Sequence, residues 1–345
     1  MNGSADRSLE AAPRGRSRIA AELAAIFYIA IIAQIAALTG AFYLMFPELG
    51  ALSHDVLTRP RGAWARAPVA LIVTPAVAAI IGIFFTRALP YGFASVMLTI
   101  GGAVIVILAM RSPIAPAISA GLLPLVLGIK SWWYPPGILF GSVLLAVGAG
   151  VWNRIERRNF GDRVFEAADT YEDALELAPS GARWMGAFAI FVALAMFAVE
   201  ATGLRFILFP PLVVIGYEML GHPAVCPWAR RPLALPVACF LTASGGLLCV
   251  RLLGADAAAA GLAMAWGLIV LRYFDLHIPP ALAIALLPMV MNHPTLWYAV
   301  SVAIGTAMLT VWFLTYGVIF DATAVGVVRA KKIAAQSLVG RWYPP

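Results

Sequence analysis

The chain has 345 residues, of which 62% are hydrophobic and only 12% charged, about half the charged share of a soluble globular chain. Its formal net charge is +7, but the cations gather at Arg7, Arg14, Arg16 and Arg18, at Arg154, Arg157, Arg158, Arg163 and Arg183, and at Arg329, Lys331, Lys332 and Arg341. That clustering at segment flanks is the pattern of the positive-inside rule, and no aromatic-interleaved basic patch accompanies it, so nucleic acid is excluded as a partner.

Residues 1–18 are polar, basic and small, and are expected to form a disordered tail. The uncharged run Leu23–Phe46 is longer than a signal-peptide core of about 7–15 residues and reads as a signal anchor and first span, over roughly 20–44. Phe46-Pro47-Glu48-Leu49-Gly50 opens a shorter segment that carries His54, Asp55, Arg59 and Arg61 and is too polar for a clear span. Spans are expected at 68–86, with Pro75 inside, and at 91–110. The stretch 112–129 is broken by prolines and lies near the lower length limit for crossing a bilayer. Tyr134-Pro135-Pro136 then leads into a span ending near Trp152.

Residues 155–184 are aqueous in character, and Phe165, Ala168, Leu175 and Leu177 can give a linker helix on the membrane surface an apolar stripe. Beyond it come a span at 185–204, a Pro-led segment at 206–220, spans at 232–250 and 257–274, a second broken segment at 276–291, and a last span at 297–319. Cys226, Cys239 and Cys249 are odd in number and set no disulfide or closed metal site; His222 and Cys226 are two ligands without partners. A constant offset of 164 pairs Trp64 with Trp228, Arg66 with Arg230, Pro68 with Pro232, Gly82 with Gly246, Arg87 with Arg251, Trp133 with Trp297, Tyr134 with Tyr298 and Gly141 with Gly305. Such agreement of scarce residue types reads as an internal duplication.

The expected fold is therefore an all-α polytopic transmembrane bundle of two homologous repeats, 19–154 and 185–320, joined by a linker over 155–184 and followed by a basic tail over 321–345. Each repeat has six apolar segments, two of them short, Pro-led, and either spanning or re-entrant. An even number of crossings per repeat places the N-terminus, linker and C-terminus on one face, the cytoplasmic one by their cations. The membrane expected is the plasma membrane. The Trp and Tyr residues at 132–134, 297–298 and 342–343 read as interfacial belts, and Arg87 and Arg251 as interfacial anchors.

His277, two residues before Pro279, together with Pro279-Pro280-Ala281-Leu282-Ala283-Ile284-Ala285-Leu286-Leu287-Pro288, resembles the signature of the HPP family, small integral membrane proteins named for a His-Pro-Pro motif that opens an alanine-rich segment. Ile278 separates the His from the Pro pair here, and the first repeat carries Ser112-Pro113 with no His. The Phe46–Gly50 opening and the Trp-Tyr start of the last span in each repeat extend the resemblance over most of the chain. Some plastid and cyanobacterial members are associated with nitrite transport, so the resemblance implies a transporter or channel for a small inorganic anion.

Candidate substrate-binding residues follow from the broken segments. Arg272, Asp275, His277, Pro279 and Pro280 lie at the second, and Arg111, Ser112, Pro116 and Ser119 at the first. Arg272 and Asp275 are i, i+3 and either neutralise each other or form a polar mouth in which Arg272 attracts an anion and His277 donates to it. Half-helices starting at Pro116 and Pro280 can offer unpaired N–H groups to an anion near the midplane; alternatively the prolines only shorten and bend packed spans. Glu200 and Glu218, with Asp55 aligned roughly to Glu218, are candidates for proton coupling. No phosphate loop, metalloprotease motif or nucleophile elbow is present, so no enzymatic activity, cofactor or metal is expected. The partners expected are the lipid bilayer and a small solute, and a homo-oligomer is compatible with the sequence. A non-transporting scaffold or accessory subunit, and an organic-acid exporter, are the competing functional readings.

Overall fold

The computed structural model describes the backbone of residues 5–160, 173–179 and 181–320, and the side chains of residues 18–158, 173–179 and 181–317. Within them the secondary structure is helical, with no strand. Most of the expected linker helix and the whole C-terminal tail, with Phe165, Ala168, Trp342 and Tyr343, lie outside the described residues. Helix α1 (Ala5–Thr39) begins inside the stretch expected to be a disordered tail, whose Ala, Glu, Leu and Arg residues are good helix formers.

Among the described residues seven helices are long and apolar enough to cross a membrane: Arg18–Thr39 of α1, α4 (Pro68–Ala88), α5 (Phe93–Met110), Tyr134–Arg158 of α7 (Tyr134–Phe160), α8 (Arg183–Thr202), α10 (Ala234–Leu253) and Leu296–Gly317 of α13 (Leu296–Phe320). Helix α11 (Ala257–Tyr273) has 17 residues, the lower end of the spanning range. These helices bury one stripe each. On α8 the stripe is Trp184, Ala187, Phe188, Phe191, Val192, Ala195, Met196 and Val199, a repeat of three and four that returns to one helix face. The opposite faces expose large apolar side chains, among them Phe27, Val69, Ile105, Phe197 and Leu252. An apolar exterior of this extent belongs in lipid, and the chain is a multi-pass membrane protein.

The short helices behave differently. All residues of α2 (Glu48–Thr58) are buried, as are 117–126 of α6 (Ala117–Leu127), 210–220 of α9 (Pro210–Gly221) and all of α12 (Pro279–Leu286). Helices of 8 to 12 residues rise only about 12–18 Å, about half of a hydrocarbon core of roughly 30 Å. Their ends would leave backbone groups bare in lipid, so they are stable only inside a wall of longer helices. The segment opened by Phe46–Gly50, too polar for a clear span, thus holds a buried half-length helix, α2.

The packing partners cross between the two halves of the chain. Helix α6 packs on α9, and α12 packs on α2; α1 lies against α11, and α5 against α8. Within each half, α4 packs on α6 and α7, and α10 on α12 and α13. Several contacts recur 164 residues apart. Tyr134 Oη donates to Ala120 O at 2.9 Å and Tyr298 Oη to Ile284 O at 2.6 Å. Arg87 donates to Lys130 O at 2.7 Å and Arg251 to Pro294 O at 3.3 Å, each tying a span's end to the turn after a short helix.

The tyrosines correct the expectation of an interfacial belt: Trp132, Trp133 and Trp297 are exposed, but Tyr134 and Tyr298 are buried. A buried phenol needs a partner, and each finds one at a carbonyl of the neighbouring short helix.

Gly82 and Gly246 are where the long wall comes closest to the short helices. A Cβ on Gly82 would collide with Gly121 O, and one on Gly246 with Ala285 O. Replacing either by Ala is therefore expected to destabilise by about 1–3 kcal/mol, the range for overpacking. Gly148, whose added Cβ would meet nothing within 4 Å, provides the contrast. Thermal unfolding in detergent should show G82A and G246A lowered and G148A equal to or above wild type.

Candidate central site

Helix α2 places Glu48, Asp55 and Arg59 near one face, at i, i+7 and i+11, with Arg59 at its C-cap. Arg59 is 8% exposed and spans three carboxylates: Nη1 donates to Asp55 Oδ1 and to Glu176 Oε1, and Nη2 to Asp173 Oδ1, each at 2.8 Å. Asp173 also accepts from the Ala63 N–H at 3.0 Å and from Arg66 at 2.5 Å. The described part of the linker is thereby fastened to the C-terminal end of α2. Burial, followed by the neighbouring Asp55, pushes the Glu176 carboxyl well above the usual carboxylate range, with Arg59 pulling the other way.

Above this cluster lies a small cavity lined by Asp55, Arg59, Trp64, Leu175, Glu176, Glu218, Trp228, His277 and Pro279. It holds about 10 Å³ for the centre of a water molecule, room for about one water. Its lining comes from both halves and from the linker. Trp64 and Trp228 are 164 residues apart, and Asp55 on α2 and Glu218 on α9 occupy similar places in their halves. The halves differ in detail. Trp64 Nε1 donates to Pro113 O at 2.9 Å, whereas the buried Trp228 Nε1 and Glu218 Oε2 complete no hydrogen bond among the described residues. His54 stacks at an angle on His277, with ring centroids 6.1 Å apart. Carboxylates outnumber the one guanidinium, so the cavity favours protons and cations over a bare anion, and an anion entering it would need a proton with it.

The candidate residues of the broken segments separate into two groups. His277 and Pro279 reach the cavity, Pro280 is buried in the first turn of α12, and Pro116 and Ser119 are buried at the start of α6. Ser112 accepts from Thr74 Oγ1 at 2.8 Å and from the Ile114 N–H at 3.2 Å, which fixes the turn before α6. Arg111, Arg272 and Asp275 are exposed. Arg272 and Asp275 do not pair as their i, i+3 spacing allows: Arg272 pairs with Glu22 of α1, and Asp275 with Arg231 at 3.3 Å. The reason is backbone direction. Arg111 and Asp275 both adopt left-handed φ values, 47° and 50°, and end their helices in the same way. In each, the N–H of that residue bonds three back and the next N–H bonds five back, Ser112 to Ile107 O and Leu276 to Leu271 O, both at 2.9 Å.

The N-termini of α6 and α12 offer an anion few free donors. Pro279 and Pro280 have no N–H, Ala281 N–H donates to Ile278 O, and Ala117, Ile118 and Ala120 N–H all donate to nearby carbonyls. Of the candidates for proton coupling, Glu200 is exposed while Asp55 and Glu218 line the cavity. Arg59 and Glu48 were not singled out from sequence, where they served only to make the segment polar; the seven- and eleven-residue spacing from Glu48 is the signal that gathers them. Among the described residues no three His, Cys, Asp or Glu side chains are grouped as metal ligands, and the cysteines are free thiols.

Comparison of the chain with family models, curated proteins and solved structures finds no match.

Two outcomes follow from this geometry. Arg59→Leu leaves Asp55, Asp173 and Glu176 without their shared cation, and breaking such a buried pair costs about 3–5 kcal/mol. Denaturant unfolding in micelles should show that loss near neutral pH and a partial recovery in acid, where protonation removes the carboxylate repulsion. Arg111→Gly and Asp275→Gly should each raise the melting temperature, because a non-glycine residue in the left-handed region costs about 1–2 kcal/mol. A fall in either would mean that the side chain contributes more than the backbone strain it imposes.

Proposed function

We propose that this protein is a non-enzymatic transporter or channel for a small solute, built from two tandem copies of one unit, with the short helices α2, α9 and α12 meeting at the cavity. The observation that carries the reading is the cavity itself. Glu218, 2% exposed, and the buried Trp228 present an acceptor and a donor that nothing among the described residues satisfies, beside helices that stop halfway through the bundle. Ionisable groups within membrane segments cost about 2.5–3.5 kcal/mol each and are kept where a solute or proton must pass. The cavity has room for about one water, so passage of a larger solute requires its walls to move apart.

The solute class follows from the resemblance of His277 and Pro279–Pro288 to the HPP signature, which points to nitrite or a similar small anion. The acidic lining adds that such an anion is accompanied by a proton, with His277 as its donor. With α11 counted as a crossing, each half crosses four times, which would put the N-terminus, linker and C-terminus on one side, and their cations favour the cytoplasmic side of a plasma membrane. The scaffold reading has no comparable support, since a scaffold has no use for unpaired polar atoms at its centre.

Purified protein in liposomes should take up nitrite faster than protein-free vesicles. His277→Ala should lower that rate at least tenfold with little change in melting temperature. Flux of nitrite, nitrate and small organic acids that never exceeds empty vesicles would end the transport reading.

A further inference from the structure

The first turn of α2 holds Glu48, which is 1% exposed. Neither carboxyl oxygen completes a hydrogen bond among the described residues. The Ser119 hydroxyl, 0% exposed, lies close enough to act on it as a hydrogen-bond partner, short of full hydrogen-bond geometry. An isolated carboxylate in an apolar interior neutralises by holding a proton sooner than it remains charged. The elements around it offer no cation in exchange. Helix α12 contributes only Pro, Ala, Leu and Ile, while α7 and α13 bring Tyr134 and Tyr298, whose hydroxyls already donate to carbonyls. On α1, Tyr28 Oη donates to Gly141 O at 2.8 Å and Glu22 is engaged by Arg18 and Arg272. On α3 (Ala63–Arg66), Arg66 is held by Asp173.

The helix that carries this carboxyl also reaches the cavity. Asp55 is two turns on, a rise of about 10 Å, and lines the cavity. His54 beside it is 5% exposed, its Nδ1 completes no hydrogen bond, and its ring lies against that of His277, another cavity residue. Chains of Asp, Glu and His within membrane segments are the means by which protons are relayed. We infer that Glu48 is a proton-binding site, loaded from the central cavity through the His277–His54 pair and held as the acid against Ser119. Binding adds one proton to a carboxylate oxygen and release returns it to water in the cavity, so no other reactant is needed. Neither the arrangement nor its spectroscopic test requires a transported solute. The use of that proton to drive uptake rests on the transport reading.

Infrared spectroscopy of the purified full-length protein decides between a loaded and an ionised Glu48. Wild type should show, at neutral pH, a protonated-carboxyl band that E48Q lacks, that S119A shifts, and that bleaches reversibly as the pH is raised. Exchange of that proton for deuterium should slow at least tenfold in H54L. The inference is overturned by a spectrum that E48Q leaves unchanged, or by a band that neither bleaches with pH nor slows in H54L. S119A supplies the same reading should E48Q fail to fold. In liposomes, an inward proton gradient should accelerate nitrite uptake by wild type and not by E48D or E48Q. Wild-type flux no faster than empty vesicles would instead count against the transport reading, leaving the infrared result to stand for Glu48.

Discussion

The structure depends on one constraint: a helix that ends inside the bilayer must have its terminal backbone groups and its whole circumference covered by protein. Helices α2, α6, α9 and α12 are too short to carry their ends to water on both sides, and each is apolar or buried all round. The long helices exist, in packing terms, to supply that cover. The places where the cover is tightest are the ones with fixed chemistry: glycine at 82 and 246 to admit a carbonyl of the short helix, and Tyr134 and Tyr298 to donate to one. Hydroxyls elsewhere in the spans turn inward to their own backbone, as Thr86 does to Gly82 and Thr242 to Ala238, both at 2.7 Å, and so make no demand on lipid.

A protein built this way has a dry wall and a polar centre, and polar groups survive at the centre only in networks. Arg59 with Asp55, Asp173 and Glu176 is one such network, and it draws the linker down onto the cavity. Glu48 and Ser119 lie outside any such network. That contrast between carboxylates that share a guanidinium and a carboxyl that shares none, about 10 Å apart along α2, is what distinguishes the anchoring role of the first from the proton-binding role inferred for the second.

Much of this organisation is legible in the sequence, because it is written in residue types that are expensive to place. Apolar runs of spanning length mark the long helices, and the Pro116 and Pro280 segments mark two of the short ones. The other two are harder. The stretch over 48–58 reads as merely polar, since single-sequence periodicity does not distinguish a solvated helix from one whose polar side faces a buried cluster. The pairing of Arg59 with Asp173 and Glu176 joins residues more than a hundred positions apart, and local spacing carries no trace of it. For the same reason Arg272 and Asp275 look like partners, although the left-handed turn at Asp275 directs them to Glu22 and Arg231. Tyr134 and Tyr298 look interfacial because aromatic residues at span starts usually are; only the neighbouring carbonyl reveals them as buried ties.

The crossed packing of α6 on α9 and of α12 on α2 also bears on how the chain is made. Synthesis reaches the end of α6 at Leu127 and the start of α9 only at Pro210. At elongation rates of about 5–20 residues per second, α6, already packed on α4 and α5, waits roughly 4–17 s for the part of its cover that α9 supplies. During that interval the α9 side of the helix faces lipid or the insertion machinery. The nascent chain therefore has a vulnerable window set by the order of its helices, and quality control in the membrane would meet this protein there, before any fold exists to be judged.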